Sequence, residues 1–311
     1  MIIIQNKSSK HFNILFASMD TLQQYKDISQ LSNFKTPATA RWYFEVKSED
    51  DLVELKQVID FAYTQGLKVL FVWWGTNMLF AFDEYNWVVI KNNLSGWSYD
   101  NETKKLETYS NEDIWEIAEE LETKKEQDLW HRFIGLPGSI GGAVFGNAGC
   151  FGLEIENNFS SCTVLNLENG QIQILSHTDM NFGYRTSLLK QNEWKYFIVK
   201  ICFDLSEKKE KYQSDVDNIY FREHQQPNGL SCGSFFKNPS REQSAWYLIE
   251  QVWLKWHKIW WAFFSQKHAN FLMSDWTARY QDFLQLIALA QHKVQQQFDR
   301  ALINEVRIIT N

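Results

Sequence analysis

Glycine is scarce in this chain. Only 14 of its 311 residues are glycine, well below the usual share of about 7%, while tryptophan, ordinarily a rare residue, also numbers 14. Prolines number four, too few for a proline-rich linker. The four cysteines (Cys150, Cys162, Cys202, Cys232) form no Cys-x-x-Cys pair and show no metal-ligand spacing with histidine. That argues against a disulfide framework and against any metal, and it fits a reducing compartment. Basic residues are also in the minority, 31 against 38 acidic, for a net charge of −7. No broad basic surface is available to nucleic acid, and the lysines at 124–125 and 208–211, mixed with glutamates, read as solvated faces. Long apolar runs are missing too. The opening Met1-Ile2-Ile3-Ile4-Gln5 is too short for a signal peptide or a membrane span. A cytoplasmic protein without a membrane or nucleic-acid partner is expected.

What is present can build a sizeable core: 44% of residues are hydrophobic. The length suggests about two domains, with one or three also compatible. Residues 48–65 have helical periodicity, with Ser48 as a cap, acids in the first turn and Leu52, Leu55, Val58, Ile59 and Ala62 on one face. Gly66 stands where a left-handed residue ends such a helix. Residues 67–72 and 85–90 read as buried strands on either side of the turn Trp73-Trp74-Gly75-Thr76-Asn77. Residues 98–118 read as a short strand and then a helix; 163–167, 171–175 and 196–205 alternate as strands. A polar stretch at 206–217 reads as a link, and 277–298 is the clearest helix. The fold class is α+β.

Four segments carry chemistry. Between 135 and 152 lie glycines 135, 138, 141, 142, 146, 149 and 152, half of all the glycine in the chain. Such a stretch lets main-chain N–H groups reach ligand oxygens unhindered, although glycine-rich loops can also merely connect elements. Ser231-Cys232-Gly233-Ser234-Phe235-Phe236-Lys237-Asn238-Pro239 places a hydroxyl on a tight turn beside aromatic walls. It is either a proton donor in a dry site or a plain turn into an apolar strand. Tyr184-Arg185-Thr186-Ser187 and Asn304-Glu305-Val306-Arg307 complete the set.

In order and rough spacing, these segments resemble the UDP-N-acetylenolpyruvoylglucosamine reductase (MurB) family over about residues 31–309. The resemblance implies an FAD-binding two-domain scaffold of the PCMH/vanillyl-alcohol-oxidase type plus a C-terminal α+β substrate domain. The expected division is 1–72, 73–205 and 206–305, with 306–311 returning to the first domain. It implies non-covalent FAD, NADPH as reductant and a UDP-sugar enolpyruvyl ether as substrate, reduced to UDP-N-acetylmuramate for peptidoglycan, in a monomer. Cofactor contacts are expected from Trp73, Trp74, Gly75, Thr76, Asn77 and Met78, and from Pro137, Gly138, Ser139, Gly141, Gly142, Asn147 and Gly149. Arg185 would stabilise an enolate, Ser234 would donate the proton and Glu305 would help polarise the substrate. Tyr184, Lys237, Asn238, Lys267 and Asn270 are expected near the substrate. The short interval between Tyr184-Arg185 and Gly233-Ser234 resembles the shorter subclass, in which another segment must close the site. Two other readings are another FAD-dependent oxidoreductase on the same scaffold and a non-catalytic sugar-nucleotide-binding protein.

The glycine deficit and the tryptophan excess then connect. Trp73 and Trp74 stand where the family's phosphate-binding turn has glycines, and Trp87, Trp246, Trp253, Trp256, Trp260, Trp261 and Trp276 repeat the pattern. UGA is read as tryptophan in some genetic codes and as glycine in others, so the nine are expected to be UGA-encoded glycines. Trp115 reads as a genuine tryptophan; Trp42, Trp97, Trp130 and Trp194 are left open. If all are real, the flavin turn is plugged and the non-catalytic reading gains.

Overall fold

The structure, a computed structural model, describes residues 21–207, 218–240 and 243–311. The opening isoleucine run and most of the polar link at 206–217 lie outside them. The first sheet begins with β1 (Gln23–Asp27) and β2 (Thr39–Val46), followed by helix α1 (Asp51–Thr64). Asp51 starts the helix by accepting from the backbone N–H of Lys47 and Ser48 at 2.8 and 2.9 Å. Leu52, Leu55, Val58, Ile59 and Ala62 all face the core, and Gly66 turns the chain out with φ 65°. Then come β3 (Val69–Val72), β4 (Met78–Phe80) and β5 (Glu84–Asn92). The sheet order is β1-β2-β5-β3, with β5 parallel to both β2 and β3. The first sheet therefore runs on to Asn92, past the expected boundary at 72/73. The apolar strand on the far side of the Trp73–Asn77 turn inserts between its predecessors, because its alternate residues find buried neighbours there.

The second sheet is antiparallel. Its strands are β6 (Trp97–Asp100), β7 (Lys105–Tyr109), β10 (Phe159–Asn166), β11 (Ile172–Ser176) and β12 (Tyr196–Asp204), in the order β11-β10-β12-β7-β6. Two helices accompany it: α2 (Ile114–Lys125), capped by Asp113, and α3 (Ile140–Gly146), capped by Ser139. The two-residue strands β8 (Gly149–Cys150) and β9 (Leu153–Glu154) follow α3. One continuous core, including Phe71, Ile90, Trp130, Val144 and Phe203, joins both sheets.

After the short helices α4 (His177–Met180), α5 (Leu188–Gln191), α6 (Asn218–Gln225) and α7 (Ala245–Gln251), a three-stranded sheet forms from β13 (Lys258–Ile259), β14 (Ala262–Phe264) and β15 (Leu272–Ser274). It packs with α8 (Tyr280–Phe298) around a second core holding Phe235, Leu248, Phe264, Phe283 and Val294. Phe34 and Leu79, from the first part of the chain, are buried in that same core. The last strand, β16 (Arg307–Ile309), lies parallel to β4, which stands past residue 72 in the chain. Among the described residues no helix is long and apolar enough to cross a membrane.

His268 packs edge-on to Phe271 at 4.8 Å, and burial pushes its pKa down to about 4. A depressed histidine leaves the unfolded chain as the better proton binder between about 4 and the ordinary histidine value of 6.5, so stability is full above that window and falls as the pH drops through it. Melting temperature measured across this range should fall with acidification, and His268→Gln should flatten the part of the slope that His268 supplies. An unchanged slope in the variant would refute the assignment.

Candidate functional site

Arg185 anchors the site. Tyr184 and Arg185 are the central residues of a tight turn that Gly183 and Thr186 close with reciprocal backbone hydrogen bonds of 3.1 Å. Arg185 adopts φ 57°, a left-handed conformation that costs a non-glycine residue of order 1–3 kcal/mol and persists only where its surroundings enforce it. Here they do. Asn147, buried at the end of α3, donates Nδ2 to the Gly183 carbonyl at 3.0 Å. The guanidinium then commits every nitrogen: Nε to Glu305 Oε1 at 2.7 Å, Nη1 to the Asn147 carbonyl at 3.4 Å and Nη2 to the Gly149 carbonyl at 2.8 Å. Its plane lies 5.0 Å from the Tyr184 ring. Burial works to lower the Arg185 pKa, but Glu305, Tyr184 and Glu154 together outweigh it and the cation is reinforced.

Glu305 is tied in through its backbone as well. Its N–H donates to the Phe235 carbonyl at 2.8 Å, and Lys237 N–H donates to Ile303 at 2.8 Å, which lays the 234–237 strip alongside 303–305. The side chain of Asn270 clamps that strip, donating to the Phe236 carbonyl at 2.8 Å and accepting from its N–H at 2.9 Å. Gly233, at φ 74°, turns the chain into Ser234, and among the described residues no protein group hydrogen-bonds the Ser234 hydroxyl. Burial pushes the neighbouring Cys232 thiol up to about 12, so it stays protonated and unreactive at neutral pH. From the first loop, Asn77 donates Nδ2 to the Glu305 carbonyl at 3.2 Å.

These groups line one cavity of about 760 Å³, inside the range of about 300–1,000 Å³ usual for ligand pockets. Trp73, Trp74, Gly75, Thr76, Asn77 and Met78 contribute one part of its wall, and Pro137, Gly138, Ser139, Gly142 and Gly149 another. Arg185, Ser234 and Glu305 share it. Gly75 has no substitute: a Cβ there would sit 1.7 Å from the Leu31 carbonyl oxygen. The two loops also approach each other, with Thr76 Oγ1 only 3.1 Å from where a Gly138 Cβ would stand. Trp73 is buried against Phe145, ring centroids 5.8 Å apart, and Trp74 is held by Nε1 donating to the Asn111 carbonyl at 2.9 Å.

Seven expected site residues lie outside the cavity wall. Gly141 is a packing glycine: a Cβ would meet both Ser110 and Trp73 at 2.7 Å. Asn147 and Asn270 turn their amides inward to hold the Arg185 turn and the Phe236 strip. Asn238 accepts from the N–H of Ala245 at 3.0 Å, at the start of α7. Lys267 reaches the Glu223 carbonyl at 3.3 Å, Lys237 is bound through its backbone, and the Tyr184 ring is exposed. Ser139 does line the cavity, but its hydroxyl caps α3 by accepting from Gly142 at 3.1 Å.

Three basic residues in the wall were not anticipated: Lys190, Arg222 and Arg307. Lys190 Nζ donates to the Arg185 carbonyl at 2.9 Å; burial, with Lys237 and Arg307 nearby, lowers its pKa. Arg307 pairs with Glu193 at 2.6 Å and lies over Phe145 at 5.3 Å. Arg307 had a signal in the sequence, since it stands two residues after Glu305 and alternation in a strand puts both on one face. Among the described residues no cluster of His, Cys, Asp or Glu is placed to hold a metal.

Two sheets share one core, a third α+β unit meets them at a basic cavity, and glycine-bearing loops wall it. This architecture is an α+β scaffold of two sheets on one core, with a C-terminal α+β unit beside the cavity. It superimposes on the crystal structure of UDP-N-acetylenolpyruvylglucosamine reductase (MurB) from Thermus caldophilus with a TM-score of 0.71, covering 93% of this chain and 100% of that one at 22% identity. The C-terminal domain model of UDP-N-acetylenolpyruvoylglucosamine reductase matches residues 225–309. The reductase of Chlamydia felis is 32% identical over 91% of this chain and 92% of its own length, and that of Chlamydia muridarum is 31% identical over 93% and 95%. The chain belongs to the UDP-N-acetylenolpyruvoylglucosamine reductase family.

The Arg185–Glu305 pair, whose side chains are each 20% exposed, should be measurable as a coupling. Arg185→Met strands a carboxylate and should lower stability by about 3 kcal/mol or somewhat less. Adding Glu305→Gln should recover part of that loss, giving an interaction energy of about 0.5–3 kcal/mol in urea titrations. Strictly additive effects would mean that the pair does not hold the two segments together.

Proposed function

We propose that this chain is an NADPH-dependent flavoenzyme that reduces UDP-N-acetyl-3-O-(1-carboxyvinyl)glucosamine to UDP-N-acetylmuramate, a precursor of peptidoglycan. The observation that carries the reading is the meeting of Arg185, Ser234 and Glu305 in one cavity with both glycine-bearing loops. The residues present fit a dinucleotide: backbone at Gly75 and Gly138 is bare of side chains, the wall is cationic and the cavity is large. Residues 75–78, with 137–139, 142 and 149, would hold it. No histidine lies at 73–79 for a covalent link. Bound there, FAD would supply the hydride, taken from NADPH, for the terminal carbon of the substrate's double bond.

The protein's own groups manage the charge that follows. Negative charge arises on the carbon beside the new C–H bond and spreads into the carboxylate, where the Arg185 guanidinium stabilises it. Glu305 holds that guanidinium in place and contributes a second polar group at the carboxylate. Ser234 Oγ gives its proton to the carbon, which completes the lactyl ether, and regains one from water. Tyr184, an exposed ring beside Arg185, keeps a substrate-contact role in this proposal, whereas Asn147 and Asn270 act by positioning. The chain further fits the shorter subclass, a cytoplasmic setting and a monomer.

The finer part of the proposal concerns the tryptophans: nine of them are glycines in the protein as its host makes it. Support comes from the backbone. Trp253, Trp256, Trp260 and Trp276 adopt φ of 60°, 65°, 51° and 78°, a region bulky side chains avoid, and their indoles project outward, 88% exposed at Trp253. None of Trp42, Trp97, Trp115, Trp130 and Trp194 has positive φ, and Trp130 is packed edge-on to Phe133 and Phe203 at 5.4 and 4.9 Å. A buried indole N–H without a partner does not separate the groups, since Trp130 shares that feature with Trp73 and Trp87. Positive φ marks four of the nine, whereas Trp73, Trp74, Trp87, Trp246 and Trp261 lack it, as do the five others.

Intact-mass measurement of protein purified from its host should fall below the printed sequence by nine indolylmethyl-for-hydrogen exchanges. That protein should carry yellow, extractable flavin, and the chain made with tryptophan at 73 and 74 should bind it poorly. Equal occupancy in the two preparations would refute the functional half of the argument.

Ser234→Ala should leave flavin reduction by NADPH nearly intact and slow reoxidation by substrate about 10²–10⁴-fold. Stopped-flow measurement of the two half-reactions separates these effects. Wild-type reoxidation in the variant would exclude Ser234 as the donor.

A further inference from the structure

Arg222 is a cation without a counterion. It lies on α6, in the third part of the chain, and lines the same cavity as the two loops. Its Nε and Nη2 are buried and have no hydrogen-bond partner by distance and angle, Nη1 makes a long 3.5 Å contact to Gln226 Oε1, and the Cys150 thiol is a further, weak hydrogen-bonding neighbour of the guanidinium. It stands in no ion pair among the described residues. The Cys150 thiol is the titratable group near enough to ease the burial of its charge, and burial still lowers its pKa. The guanidinium is nonetheless held in place. Its Cζ lies over the Phe151 ring, 5.1 Å from the centroid, and its Cδ packs on Gly135 so closely that a Cβ there would come within 2.7 Å. A buried, pre-placed arginine with two open N–H groups is costly unless an anion completes it.

The chemistry of that anion can be narrowed. Arg185, elsewhere in the wall, is already paired with the Glu305 carboxylate. A planar fork with adjacent free N–H donors matches two oxygens of a phosphate, and Arg222 reaches the cavity across the Gly135–Gly138 turn. Resting on the function proposed above, we propose that Arg222 is a diphosphate-binding residue, supplied by the third domain to the pyrophosphate of a nucleotide ligand. Both the dinucleotide cofactor and the sugar nucleotide carry that group, and the same side chain would then link nucleotide binding to closure of the third domain over the cavity.

The test uses full-length protein as made in its host, stripped of flavin, with Arg222→Ala and Arg222→Lys beside wild type. Fluorescence quenching would give the affinities for FAD and for riboflavin, which lacks the diphosphate; calorimetry would do the same for UDP and uridine. A lost charge-assisted pair should weaken the diphosphate ligand about 10- to 100-fold, leave its phosphate-free analogue unchanged and be partly restored by lysine. A loss confined to FAD assigns Arg222 to the cofactor, and one confined to UDP assigns it to the substrate. Equal affinities in variant and wild type for both diphosphates overturn the proposal. So does a parallel loss of riboflavin or uridine binding, which would mark a packing role. Wild-type protein that binds no flavin would instead defeat the flavoenzyme reading, and the UDP comparison would still decide the role of Arg222.

Discussion

The ion pair between Arg185 and Glu305 is the contact on which the site depends. Its partners lie 120 residues apart in sequence, one on a strained turn of the central domain and one in the strip that meets Ser234. Arg185 cannot hold its left-handed backbone unaided. The Asn147 amide supports the turn from below, and the carbonyls of Asn147 and Gly149 take the remaining guanidinium nitrogens. Glu305 in turn is fixed by Phe235 on one side and Asn77 on the other. A shift in any of three segments would therefore reach the charged pair directly. In physical terms, the strain at Arg185 is offset by a hydrogen-bond set that only the complete fold provides.

Much of this was legible in the sequence, and the boundary of legibility has physical causes. Residues with local periodicity read well. The face of α1, the αL glycine after it and the alternation of β10 and β12 each depend on neighbours a few positions away. The order of the first sheet did not follow, because the insertion of β5 between β2 and β3 is decided by long-range pairing. Asn147 and Asn270 were read as ligand contacts because a polar amide in a functional motif looks the same whether it faces a ligand or a buried carbonyl. Their partners, Gly183 and Phe236, lie 36 and 34 residues away. Arg222 gave no signal at all, sitting in a polar stretch whose burial only the assembled fold reveals.

The tryptophans show backbone and side chain disagreeing. At four positions the main chain takes a conformation suited to a residue without a Cβ, while the side chain is a large indole left in solvent. Packing does not ask for those indoles, and the turns that carry them are the kind glycine makes. In the core, where Trp130 sits among Phe133 and Phe203, ring and backbone agree. At these four positions it is the backbone, not the side chain, that matches what the turn requires.

The parallel pairing of β16 with β4 also sets an order of events during synthesis. Residues 305–309 emerge from the ribosome after every other element described here, yet they carry the carboxylate of the central ion pair and the strand that docks beside the first loop. Both large sheets can form while the chain is still growing, but the part of the cavity wall that carries Glu305 has to wait. A nascent or prematurely terminated chain can fold most of its core without acquiring the site. Loss of residues 305–309 would remove the Glu305 carboxylate together with the buried Val306 and Ile309, so the ion pair and parts of two cores would be lost at once.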